Sequence, residues 1–486
     1  MKPLTIPSTV LVGLLVFWCS LEYLSPVTIA QGSDSETDLK LEAASTLKKA
    51  CRFYASKISI QGGYPYHSRI DGASRWGENM ELRKSFIMQP PGTPSVGSAF
   101  LQAFEATGDY EYLELALATG GAIAKGQLRS GGWAQVVYLE TPGKGRMGDY
   151  RKRAGGEWNQ SSLDDNQTQS AILFLVELDR VLDHRDEEIK ESVEFALEAL
   201  LKAQLPNGGF PQGWREPARS FSAAKASYPH DDWKTEGRIK NYWDYSTLND
   251  GLVGDVAEVF IRAYEVYQDE RYLNALKRLG DFLLLAQMPE PQPAWCQQYN
   301  DSMQPIWARK FEPPAIAGSE SQDAMLTLIR IAEVSKDRKY LEPIPRALRY
   351  FREECLLADG RLARFYELQT NKPLYMDKQY RLTYDDSQVP SHYGWKNQSK
   401  LNQIERTYEL LSQGVAYEGK PRKVSPMVVR KVIKAQGEDG SWSHVYQGEK
   451  LMGSPKFVEG DLYVSSAEFI ENVDILATYI SALKTK

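Results

Sequence analysis

The feature that most constrains this chain is a spacing. Asp109 and Gln127, Asp186 and Gln204, and Asp269 and Gln287 each lie 18 positions apart. A fourth start, at Asp337, places Cys355 at the same offset. Each interval opens with an acid suited to capping a helix, then carries apolar residues at helical spacing for about four turns. Each closes in a Gly- or Pro-rich loop. The stretches that come before, such as 99-AFLQAFEATG-108 and 256-VAEVFIRAYEVYQ-268, also read as amphipathic helices. The unit is therefore a helix pair closed by a loop. Such a pair cannot bury its apolar face alone, so the pairs must stack. An open superhelix and a closed α/α toroid both satisfy that demand. About five or six pairs, irregular loops and many aromatics favour the toroid. The expectation is an all-α incomplete helical barrel whose loops gather at one end and line a cleft.

The loops carry a second pattern. Gln127-x3-Gly131-x-Trp133, Gln204-x3-Gly208-x-Phe210 and Gln436-x3-Gly440-x-Trp442 resemble the QW repeats of squalene-hopene and related terpene cyclases. There the motif ties helix ends together and is structural. The Asp-x-Asp-Asp acid cluster of those cyclases is absent, and loops rich in Arg and Lys do not suit a carbocation chamber.

The first thirty residues differ from the rest. Lys2 precedes the apolar run 10-VLVGLLVFW-18, and 28-TIA-30 offers a small-residue cleavage site before Gln31. This predicts a signal peptide over 1–30 and one catalytic domain over 31–486, secreted or periplasmic, with no membrane attachment after cleavage. A retained N-terminal anchor is the alternative. Cys51, Cys296 and Cys355 then remain, too few and too scattered for a disulfide framework or a zinc site. A net charge of −6 gives no global case for nucleic acid. The chain is expected to act as a monomer.

Four stretches carry chemistry. In 161-SSLDDNQTQSAILFLVEL-178 and 246-STLNDGLVGDVAEVFIRAY-264, acids and amides stand directly before an apolar run. Each is equally readable as a helix cap or as half of a metal site. The segment 295-WCQQYNDSMQPIWARKFEPPAIAGSES-321 concentrates Trp295, Arg309, Lys310 and Glu312 around a rigid Pro-Pro pair. The segment 361-RLARFYELQTNKPLYMDKQYRLTYDD-386 interleaves aromatics such as Tyr366 with Arg364, Lys372, Lys378 and Arg381. Sugar rings stack on aromatic faces, and guanidinium forks grip carboxylates, so both segments suit a sugar polymer that bears carboxylates. Scattered surface charge is the plain alternative.

Taken in order, 62-GGYPYHSR-69, 162-SLDDNQTQSAILFLVELD-179, 203-AQLPNGGFPQ-212, 246-STLNDG-251, 295-WCQQY-299, 307-WARKFEPPAIAGSES-321, 364-RFYELQTNKPLY-375 and 392-HYGW-395 resemble the calcium-dependent pectate lyases of polysaccharide lyase family ten. The resemblance covers roughly residues 50 to 396 and implies an α/α toroid. It also implies β-elimination in polygalacturonate, with Ca2+ as cofactor and an acidic polysaccharide as partner. By position it assigns Asp164 and Asp250 to the cation, with Asn166 and Asn249 beside them, and Arg309 as the base. Arg364, Lys378, Trp295 and Tyr366 are assigned to the substrate. Arginine is an uncomfortable base, because it stays protonated throughout the usable range. Lys378 stands where the resemblance leads one to expect a second arginine, and 379-QYRLTYDDS-387 departs from the usual pattern.

None of the five histidines pair at metal-ligand spacing. His67 and His392 read as loop packing or substrate hydrogen bonding. There is no nucleophile elbow, P-loop or dinucleotide-binding glycine pattern. The insert 215–245 is either a wall over the cleft or a mobile lid. Two other functions stay open at this level. One is an inverting glycoside hydrolase on the same fold, using Asp164, Asp250 or Glu312. The other is a polysaccharide-binding protein without turnover.

Overall fold

A computed structural model describes residues 30–141, 147–153, 155–234, 239–416 and 422–483. The expected signal peptide lies outside the described residues except for Ala30. Twelve α-helices run in chain order among the described residues: α1 (Ala30–Phe53), α2 (Thr93–Thr107), α3 (Tyr110–Lys125), α4 (Gln167–Val181), α5 (Glu187–Ala203), α6 (Leu252–Tyr267), α7 (Glu270–Ala286), α8 (Gly318–Ser335), α9 (Ile344–Tyr350), α10 (Leu401–Ser412), α11 (Pro426–Ala435) and α12 (Ser466–Ala482).

Even-numbered helices form an inner ring in the order α12, α2, α4, α6, α8, α10, each packed on the next. Odd-numbered helices lie outside them, so the fold is the α/α toroid that the spacing predicts. The aspartates that open each interval are true caps. Asp109 accepts from the Glu111 amide, Asp186 from Ile189, and Asp269 from Arg271. The fourth interval departs from the pattern. Asp337 caps a 3-10 turn over Arg338–Leu341, and Pro343 then opens the short α9. Prolines in 342-EPIPR-346 remove backbone donors and prevent one continuous helix.

The glutamine that closes each interval is a latch between neighbouring pairs. Gln127 Nε2 donates to Gly131 O and to Ser192 O on α5. Gln204 does the same to Gly208 O and Ala275 O on α7, and Gln287 to Pro293 O and Pro343 O. Gln436 donates to Gly440 O and to Thr46 O on α1, so the last outer helix is fastened to the first. The glycine four residues on must be glycine. Gly208 sits at φ +91 with its α-carbon against the backbone of Arg278, where a side chain would collide. The aromatic that follows is an anchor. Trp133 Nε1 donates to Ile123 O and Trp442 Nε1 to Val432 O, both at the end of the preceding outer helix. One hydrophobic cluster runs from Leu39 to Ile480 through all twelve helices. Cys51, Cys296 and Cys355 are buried in it as free thiols. No described helix is long and apolar enough to cross a membrane.

Candidate active site

Each inner helix begins at the same end of the ring, and short strand pairs frame three of these starts. Ser161–Ser162 pairs with Gly213–Trp214 before α4, Ser246–Thr247 with Gln298–Tyr299 before α6, and Ile316–Ala317 with Phe365–Tyr366 before α8. Each pairing stitches the entrance of one helix to the loop of the next repeat. The helix N-termini, with their partial positive charge, therefore converge on a single region, and that favours acids there.

The first two starts are copies. Leu163 N bonds Gln212 O and Leu248 N bonds Gln297 O, both at 2.8 Å. A 3-10 turn follows in each, over Asp164–Asn166 and Asn249–Gly251. Gln212 Nε2 donates to Asp164 Oδ1 at 2.6 Å, and Gln297 Nε2 to Asn249 Oδ1 at 2.9 Å. The middle residue of each turn is an aspartate in the left-handed region, Asp165 at φ 46 and Asp250 at φ 51. A non-glycine residue held there costs free energy that the surrounding fold must supply. Asp165 and Asp250 are thus equivalent, while Asp164 is equivalent to Asn249.

None of these acids caps its helix. The cap positions of α4 and α6 are Asn166 and Gly251, and neither makes a side-chain cap bond. Instead Asp164, Asp165 and Asp250 each present one carboxylate oxygen, and these oxygens lie within 4.8 Å of one another. Burial pushes Asp164 above the usual carboxylate range, with Gln212 pulling the other way and Asp250 adding to the rise. Asp165 is pushed up to about 7 by burial and by its neighbours Asp164, Asp250 and Glu78. Three carboxylates crowded into one half-buried pocket repel each other. A hard cation taking one oxygen from each would relieve that repulsion, and an all-oxygen donor set suits calcium or magnesium.

Two arginines stand against the acids. Arg309 Nη2 lies 3.1 Å from Asp250 Oδ2 and 2.7 Å from Glu312 Oε1. Its Nε also donates to Glu312, and its backbone amide bonds the other Glu312 oxygen. Burial opposes the charge on Arg309, but the Glu312 and Asp250 carboxylates outweigh it and hold the guanidinium above its ordinary value. Burial alone would raise Glu312, yet Arg309 brings it below its ordinary range. Arg364 Nη2 reaches Glu320 Oε1 at 2.9 Å and Asp250 Oδ1 at 3.5 Å, and its guanidinium lies 4.4 Å from the Tyr393 ring centre. Glu320 is pushed up to about 7 by burial, against the pull of Arg364. Arg364 Nε and Glu320 Oε2 are both buried without a partner.

An aromatic cleft of about 610 Å3 leads to the acids, lined by Val136, Trp158, Asp164, Tyr242 and Trp243 among others. That volume is within the usual range for ligand pockets. Beyond Tyr242 and Trp243, a depression of about 360 Å3 reaches Arg309 and Phe311.

The structure thus brings Asp164, Asp250, Arg309 and Arg364 together. It does not bring in Lys378, Trp295 or Tyr366, the other residues assigned from sequence to the substrate. Lys378 is exposed in the turn between strands Pro373–Met376 and Leu382–Thr383. Trp295 and Tyr366 are corrections, because both are fully buried. Trp295 is the anchor of its repeat, its Nε1 donating to Leu283 O at 2.8 Å, as Trp133 and Trp442 do in theirs. Tyr366 sits mid-sheet, with its hydroxyl donating to Cys355 O and accepting from the Ala363 amide. Neither has a face left for a sugar. Sequence reading missed Asp165 and Glu320. Setting SSLDDN over STLNDG would have paired Asp165 with Asp250. Glu320, in AGSES, carries no such signal.

A family model of polysaccharide lyases matches residues 127–362 of this chain. The model is described as pectic acid lyase, which bears out the resemblance read from the sequence. The matched stretch holds all three clustered aspartates with Arg309, Glu312 and Glu320, and stops just short of Arg364. Among solved structures, the family 10 polysaccharide lyase from Cellvibrio cellulosa is similar at 18% identity, covering 66% of this chain and 96% of its own, with a TM-score of 0.45. A point mutant of it in complex with trigalacturonic acid gives 18%, 67%, 98% and 0.45 in the same order. A family 76 α-mannanase of Bacteroides thetaiotaomicron gives 11%, 93%, 97% and 0.41. No curated protein matches the chain.

Proposed function

We propose that this chain cleaves polygalacturonate or a closely related uronate polymer by calcium-dependent β-elimination, outside the cytoplasm. The observation that carries this reading is the meeting of Asp164, Asp165 and Asp250 beside Arg309 and Arg364. The aspartates would hold the cation. Bound there, it would neutralise the uronate carboxylate and so let negative charge build on the adjacent ring carbon.

The chain's own residues do the rest. Trp158, Tyr242 and Trp243 offer faces for sugar rings. Arg364, held by Glu320 and Tyr393, is placed to take a uronate carboxylate. A base removes the proton from the ring carbon next to the carboxylate. Those electrons form a carbon–carbon double bond, the bond to the glycosidic oxygen breaks, and that oxygen takes up a proton. Arg309 is the proposed base, and its surroundings set its difficulty. Glu312 and Asp250 keep it charged in the unliganded site. A cation that satisfies Asp250 removes one of those two influences, and alkaline conditions favour the neutral form.

The three clustered aspartates lie too close for an inverting hydrolase pair, which needs about 6.5–9.5 Å for its water. The test is ultraviolet absorbance with polygalacturonate at alkaline pH, with calcium and then with chelator. A calcium-dependent rise is expected from the conjugated product. New reducing ends without that absorbance would establish hydrolysis instead.

A further inference from the structure

A cavity of about 710 Å3 lies behind the aromatic cleft, along the wall made by 213–219 and 240–245. It shares Gln160, Gly213 and Trp243 with the cleft at Asp164, so the two hollows adjoin and Trp243 lines both. Trp243 is 37% exposed, large for a side chain of its apolar area. Tyr245 stands beside it in the same wall. An exposed aromatic between two adjoining hollows suits a platform for a sugar ring.

The wall also carries three cations, and they differ in their commitments. Arg219 is bound by Asp301 and by the Asp244 carbonyl. Arg215 Nη2 donates to the neutral Gln160 Oε1 at 3.1 Å, and its guanidinium lies 5.4 Å from the Trp158 ring centre. Among the described residues no carboxylate is ion-paired with Arg215 or Lys240. Both are exposed at the mouth of the cavity. Glu216 and Asp244 line the same wall, and Arg219 and Arg215 both pull Asp244 down against the rise that burial gives it. Exposed cations beside an aromatic platform, not ion-paired with a described carboxylate, suit a chain of sugars that bears spaced carboxylates.

We propose that this cavity binds the uncleaved arm of the uronate polymer, with Arg215 and Lys240 taking carboxylates and Trp243 a ring face. The proposal rests on the lyase reading of the adjacent cleft. It gives 215–219 and 240–245 a function in recognising chains long enough to extend from the acids past Trp243. Affinity should then depend on chain length, and on ionic strength through the exposed cations.

The experiment compares the wild-type protein with the Arg215→Gln, Lys240→Gln double variant, on polygalacturonate and on trigalacturonate, by absorbance of the unsaturated product. The polymer KM is expected to rise about five- to tenfold, and trimer kinetics to stay within about twofold. An unchanged polymer KM, or equal damage on polymer and trimer, overturns the proposal. Calorimetric binding of polygalacturonate to both proteins separates it from the lyase reading. If the wild-type protein releases no unsaturated product, the lyase reading fails. The cavity then stands on a matching loss of polymer affinity in the double variant, and falls if the two affinities agree.

Discussion

Asp165 and Asp250 occupy the same place in successive helix pairs, each in the middle of a 3-10 turn with a positive φ, and their carboxylates meet. Asp164 corresponds instead to Asn249, and a glutamine donates to each. An amide already serves at that second position. Asp165→Asn and Asp250→Asn are therefore expected to lower activity and calcium affinity by about 100-fold or more, while Asp164→Asn costs about tenfold or less. Calcium titration calorimetry alongside the absorbance assay would check this. Equal losses in all three would contradict the equivalence.

Arg309 satisfies the buried Glu312, whose side chain is only 2% exposed. Arg309→Ala takes the paired cation from that carboxylate, leaving it the Arg309 amide and the Tyr393 hydroxyl, as well as removing the proposed base. We expect activity to fall by at least about 1000-fold and stability by about 3 kcal/mol. Arg309→Lys restores charge without the two-pronged contact, so it should recover much of the stability and little of the activity. Denaturant unfolding and initial rates, measured on both variants, separate the two effects.

Glu320 gives a pH signature. Its folded-state value of about 7 lies above the ordinary 4.5 of a glutamate, so the folded chain holds this proton more tightly than the unfolded chain. Its contribution to stability is fully present below about pH 4.5 and is lost as pH rises through about 7. Between those values Tm is expected to fall more steeply with pH in the wild-type protein than in Glu320→Gln. Parallel curves would show that Glu320 does not titrate there.

Trp295 should behave as core. Trp295→Ala is expected to cost about 3–5 kcal/mol of stability. Trp295→Phe, which keeps most of the ring volume and loses the bond to Leu283 O, should leave KM within about twofold and cost about 1 kcal/mol. A large rise in KM for the phenylalanine variant, at intact stability, would restore it to the substrate site.

Gln436 offers a test of ring closure. Its amide spans from α11 to the Thr46 carbonyl on α1. Gln436→Leu leaves two buried carbonyls without that donor, so a loss of about 1–3 kcal/mol is expected on chemical denaturation. A neutral result would mean that the helix contacts alone close the ring.

Periodicity determined the helix pairs, their caps and the stacking, because apolar spacing, capping acids and loop glycines act locally. It also exposed the acids and arginines, since the charged residues of 161–166, 246–251, 307–312 and 361–364 stand out against apolar helices. Aligning SSLDDN with STLNDG pairs Asp165 with Asp250, but only the fold shows that Asp164, Asp165 and Asp250 gather within 4.8 Å, because two turns at positive φ bring them together. Nor could sequence tell Trp295 from Trp243. Both are tryptophans in polar loops, but one fills the space behind a helix pair and the other is left at the mouth of the cleft. Whether an aromatic is core or platform depends on what packs against both its faces, and those neighbours come from repeats about eighty residues away in sequence.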